Sequence, residues 1–112
     1  MYDNELQQLE QNIKQSRKIA ELGESLERLK ANRDFKKVIV EGFFEQEAVR
    51  LVHLKADANM QSSESQKTIL MQIDAIGSLS AYFNALRIRA NMAGNSIAAD
   101  EQTREELLAE DL

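Results

Sequence analysis

The chain has 112 residues, a length that suits one domain, and its 43% hydrophobic and 29% charged residues make it too apolar for full disorder. A net charge of -5 argues against a dedicated nucleic-acid binder, and the absence of cysteine excludes disulfides, zinc-thiolate sites and cysteine nucleophiles. With no proline and only four glycines, the turn-rich strand folds are disfavoured, and a few long helices joined by short loops are expected.

No apolar run approaches the length of a membrane span, and the start, MYDNELQQLEQ, lacks the basic and apolar regions of a secretory signal. The expected location is therefore the cytoplasm in which the protein is made. Charge is uneven. Residues 1–57 carry eleven acids against ten bases, whereas residues 58–112 carry eight against four, and six of those eight acids lie from Asp100 onward.

The first predicted helix spans residues 3–31. Leu6, Leu9 and Ile13, then Ile19, Leu22, Leu26 and Leu29, recur at steps of three and four and trace an apolar stripe. The register slips between Ile13 and Ile19, which are six apart, so a regular heptad is not expected throughout. Glu10–Lys14, Arg17–Glu21 and Glu24–Arg28 are spaced for i,i+4 ion pairs. Gly23 costs about 1 kcal/mol relative to Ala in a helix, so it marks either close packing or a soft point.

A turn is expected at residues 32–34, with Asp34 as the N-cap of a shorter middle helix, residues 34–56. Phe35, Ile39 and Phe43, with Val40, Phe44, Ala48, Leu51 and Val52, fit helical spacing. VIVEGFF is also rich in strand formers around a Glu-Gly step, so a short β-hairpin at residues 37–45 is the competing reading. Phe35, Phe43, Phe44 and Phe83 read first as core residues. Phe43 and Phe44 are adjacent and point about 100° apart on a straight α-helix, so the alternative is that one of them lies on a second surface, a candidate partner contact.

Residues 57–63, DANMQSS, read as a loop, and Ser63 with Gln66 as a capping box that opens the last helix, residues 64–109. Its expected stripe is Ile69, Ile73, Ile76, Ser80, Phe83, Arg87, Ala90, Gly94 and Ile97. AGNSIAAD, residues 93–100, is a weak stretch where the helix could break, and residues 100–112 form an acidic end. The fold class is all-α: a single domain, 1–112, in which the two long helices make an antiparallel hairpin with the middle helix packed at one end.

The chemistry-bearing residues are sparse. His53 is the lone histidine, and on a helix near its C-terminus its ordinary role is to complement the dipole. Glu41, Glu45 and Glu47 lack the His or Asp that would complete a metal or acid–base set. No phosphate loop, nucleophile elbow or zinc-protease motif occurs. No catalytic residue, cofactor, metal or small-molecule substrate is expected. The basic cluster of Arg28, Lys30, Arg33, Lys36 and Lys37 is interleaved with acids. It suits an acidic protein surface at least as well as phosphate. The expected partner-binding residues are Phe43, Phe44, Lys36 and Lys37.

Residues 31–57, ANRDFKKVIVEGFFEQEAVRLVHLKAD, with residues 74–93, DAIGSLSAYFNALRIRANMA, resemble small tailed-bacteriophage proteins found among structural and head-assembly genes. The resemblance implies a virion or head-assembly component of an infected host cell, with capsid or other phage proteins as partners, and supplies no catalytic residues. Beside it stand two other readings. One is a small acidic regulator or inhibitor of a host or phage enzyme. The other is a DNA-packaging factor that uses Lys30–Lys37. Three amphipathic segments hold more apolar stripe than one copy hides, so a homo-oligomer is expected.

Overall fold

The computed structural model describes residues 2–110, with side chains from Asp3 onward; the last two residues of the acidic end lie outside this range. The described residues contain no strand. Helix α1 is Tyr2–Ala31. A second helical stretch follows as α2, Arg33–Phe35, a π-helical segment, Lys36–Glu47, and α3, Ala48–Ala56. A 3-10 turn, Ala58–Met60, leads to α4, Ser63–Glu110. The three predicted helices are therefore present, and the competing β-hairpin at residues 37–45 is replaced by helix.

Each boundary has a local cause. Asn32 has extended backbone angles, and its side-chain oxygen accepts a hydrogen bond from the Phe35 N–H at 2.9 Å. The cap is thus Asn32 and not the expected Asp34, because either amide or carboxylate oxygen serves and the turn closes two residues earlier. Ser62, one residue before the expected Ser63, caps α4 by accepting from the Ser65 N–H at 3.1 Å. Gln66 is then released from a capping box. Its side-chain amide donates to the carbonyls of Lys55, at 3.0 Å, and Met60, at 2.7 Å. Gln61 likewise donates to Lys55 and Asp57. Two glutamines so satisfy carbonyls that the end of α3 leaves without helical partners.

Contacts divide the chain into two compact units, residues 1–27 with 85–112, and residues 28–84. In the first, α1 and the later part of α4 run in opposite directions. Gly23 lies against Ala90, Arg17 reaches Glu101 at 3.3 Å, and Asn4, Gln8 and Leu9 share a surface hollow with Thr103 and Leu107. Ile13, Leu26, Leu86 and Ala93 are its buried apolar residues. Gly23 is buried, and a Cβ there would overlap the Cβ of Ala90, so this glycine serves close helix approach and is no soft point. Ser16 is half-buried between Ile13 and Ile19, so the apparent slip in the α1 stripe is a small polar residue within a continuous one.

In the second unit, Leu51, Ile69 and Ile76 form the core cluster. Phe43, Phe44, Ala48, Leu54, Met60 and Ile73 pack around it. Leu51 has no exposed surface. Full burial of such a side chain contributes about 1.5–3 kcal/mol.

Along α4 the buried or half-buried positions are Ser65 and Gln66 in its first turn, then Ile69, Ile73, Ile76, Leu79, Phe83, Leu86, Ala90, Ala93 and Ile97, continuing to Asp100, Glu101, Arg104 and Leu107. Leu79, Leu86 and Ala93 take the places expected for Ser80, Arg87 and Gly94. Both registers share Phe83, Ala90 and Ile97, so spacing alone does not choose between them. The larger apolar side chains gain more by burial and win. Residues 93–100 do not break the helix, which continues through Gly94 without a positive φ.

Candidate interaction surface

The π-helical segment shapes the most distinctive surface. The half-buried positions recur about every four residues: Ile39 with Val40, Gly42 with Phe43 and Phe44, and Glu47 with Ala48 at the start of α3. A period of four exceeds the 3.6 of an α-helix and agrees with bonds that close i→i+5. Each residue then turns through less than 100°, and both phenylalanines face inward. Their ring centroids are 5.9 Å apart. Phe44 also meets Phe83 edge-on at 6.1 Å, and Phe35 meets the same ring at 5.9 Å. At four residues per turn Phe43 and Phe44 still point about 90° apart, but the pair is rotated so that both rings reach the core, with Phe44 also against Phe83. Phe44 belongs to an aromatic cluster. Phe43 divides its ring between the core and an open surface.

That surface is a trough of about 510 Å³ between the π segment with α3 on one side and α4 on the other. Val38, Ile39 and Phe43 wall it over the buried Leu51 and Ile76, and the small residues Gly42 and Ala75 leave it hollow. Val38 stands at its lip with 63% of its surface exposed. Val49 and Val52 on α3 are also exposed, at 57% and 62%. An exposed apolar side chain at the edge of a hollow, as at Val38, is a candidate docking feature.

One ion pair edges the trough. Arg50 donates through Nε to both Glu47 carboxylate oxygens, at 3.0 and 3.1 Å, and through a terminal nitrogen to one of them. These hydrogen bonds are the main cause that holds the Glu47 carboxyl below the usual glutamate value and raises the Arg50 guanidinium above its own. The pair locks two long side chains beside an apolar hollow.

The other residues singled out in the sequence are placed as follows. Lys36 and Lys37 are exposed on the first turn of the π segment, close in sequence to Val38 at the lip. His53 is exposed on α3, and Glu41 and Glu45 are exposed on the π segment. Among the described residues no group of three or more His, Asp or Glu is arranged to hold a metal ion, and no helix is long and apolar enough to cross a membrane. The acidic stretch continues α4 as helix to Glu110, with Asp100 half-buried and Glu101 bound to Arg17.

Sequence reasoning missed Val38, Ile39, Gly42 and Arg50 as parts of one surface. The i,i+3 spacing of Glu47 and Arg50 was readable, but their place beside the trough depends on the winding of the segment before them. The described residues form an all-α protein with an open, largely apolar trough in its second unit. No protein-family model, curated protein or solved structure matches the chain.

Proposed function

We propose that this chain is a non-catalytic protein–protein interaction component that receives an apolar helical ridge in the trough of its second unit. The observation that carries the reading is the open hollow of Val38, Ile39, Gly42, Phe43, Leu51, Ala75 and Ile76 with an exposed valine at its lip. A groove between two helices fits the helix-in-groove mode of recognition, in which aliphatic side chains at helical spacing enter an apolar channel. The antiparallel contacts within the first unit support the hairpin arrangement of the two long helices there.

The partner we favour is a second copy of this chain or a virion or head-assembly protein of a tailed phage. The phage assignment rests on the resemblance of residues 31–57 and 74–93 alone. Val38→Asp is the variant of choice, because this residue is exposed and its replacement spares the core. Phe44→Asp would damage the aromatic cluster and confuse folding with docking. Light scattering on the isolated protein should give a mass above one chain for wild type and one chain for Val38→Asp, with unchanged helicity. Mass spectrometry of purified virions tests the phage partner. A wild-type monomer that is also missing from the particles would defeat the proposal.

The regulator and DNA-packaging readings give separable outcomes. Loss of inhibition on deleting residues 100–112 supports the first. Salt-sensitive DNA binding lost on Lys36→Glu with Lys37→Glu supports the second.

A further inference from the structure

The winding of Lys36–Glu47 carries an inference about how the trough is made. Long π runs are rare, and α is the default winding of a helical chain. What holds this one must therefore be packing. That packing is partial: no residue between Lys36 and Glu47 is fully buried. Gly42 sits at its centre. The Lys37 carbonyl, 3.2 Å from where a Cβ would stand, is the i→i+5 partner of the Gly42 N–H, and glycine is among the residues least favourable to α winding.

The α alternative follows from geometry. With α3 fixed through the buried Leu51 and 100° of turn per residue, α winding places Phe44 and Val40 within about 20° of the Leu51 direction. The same winding swings Phe43 about 80° and Ile39 about 120° away from it. Val40, Phe44 and Leu51 would form an ordinary four-three stripe. Ile39 and Phe43, two walls of the trough, would leave it.

We propose that Lys36–Glu47 is a two-state winding element: the π state turns Phe43 and Phe44 together toward the core and forms the trough, and the α state keeps Phe44 in place while presenting Phe43 and Ile39 outward as a ridge. One sequence thereby offers a hollow or a ridge from the same segment, and a partner that prefers one form shifts the balance toward it. Its use as a docking switch rests on the function proposed above, but the two windings themselves are tested on the isolated protein, so the failure of either idea is visible without the other.

Hydrogen-bond scalar couplings measured by NMR report which carbonyl each amide engages. In wild type, the amides of residues 41–47 should couple to carbonyls five residues earlier. Gly42→Ala replaces a glycine that disfavours α-helix with the best α-former, so its couplings should move to carbonyls four residues earlier. Cross-relaxation between the Phe43 ring and Ile76 should fall several-fold, while that between Phe44 and Phe83 persists. Four-residue pairing in wild type overturns the proposal, as does a folded Gly42→Ala that keeps five-residue pairing and its Phe43 contacts. If Gly42→Ala does not fold, relaxation dispersion on wild type decides: exchange confined to residues 36–47 supports two windings, and its absence overturns them.

Discussion

Gly23 shows how much one missing methyl group can position. A side chain there would overlap the Ala90 Cβ, so the backbones of α1 and α4 approach at this point only because position 23 has none. Overpacking of a tight contact costs about 1–3 kcal/mol, and the better helix propensity of alanine returns about 1 kcal/mol. Gly23→Ala should therefore lower unfolding stability by up to about 2 kcal/mol in urea titration. Moving the methyl across the contact, in Gly23→Ala with Ala90→Gly, should recover stability to within about 1 kcal/mol of wild type. Equal stability of the single variant and wild type would show that the helices part freely.

Glu47 makes the corresponding electrostatic case. Its folded pKa lies below the unfolded value because Arg50 hydrogen-bonds the carboxylate. A carboxylate shifted in that direction adds stability above its unfolded pKa and loses it as pH falls through the folded one. The contribution is thus present at neutral pH and disappears on acidification below the ordinary glutamate range. The pair is exposed, so its effect on stability is small and weakened by salt. Carbon-detected titration of the Glu47 carboxyl should show a midpoint below that of an ordinary glutamate, and Arg50→Gln should restore it. An ordinary midpoint in wild type would mean the pair does not persist in solution.

At the scale of elements, the ends are held by side chains with defined partners. Asn32 supplies the only side-chain cap at the start of the middle helix, and its loss to alanine should cost about 1 kcal/mol. Amide hydrogen exchange should show the effect concentrated in residues 33–36, and an even spread along the helix would point to a different cause. Leu51 is the element's anchor. Because it is fully buried against α4, Leu51→Ala should cost about 2–5 kcal/mol by thermal unfolding. A smaller loss would mean that the unit collapses readily around the gap. The winding between these two points follows neither from the cap nor from the anchor, since both are compatible with α.

For the molecule as a whole, the excess of apolar surface is the dominant fact. Val38, Val49, Val52, Met71 and Met92 are each more than half exposed on a chain of 112 residues. If second copies cover part of that surface, the folded state is stabilised by mass action and Tm rises with protein concentration. Scanning calorimetry across a wide concentration range should show this rise in wild type and its loss in Val38→Asp. A Tm independent of concentration would argue against self-association through this surface.

The sequence by itself determined the all-α class, the extents of the three helical stretches to within a few residues, and the loop after Ala56. These depend on local chemistry: apolar periodicity, the scarcity of glycine and proline, and polar side chains that cap helix ends. Local chemistry left open whether α4 buries Leu86 or Arg87, since both lie on acceptable stripes, and whether the cap is Asn32 or Asp34, since both can accept the bond. Only tertiary structure decided that Gly23 is a close contact, because the partner methyl on Ala90 lies 67 residues away. It also decided the winding at Lys36–Glu47. Bonding to the fourth or the fifth residue is a choice between nearby backbone partners. Here Leu51, Ile69, Ile76 and Phe83 tip it, by offering apolar surface to Phe43 and Phe44 at once.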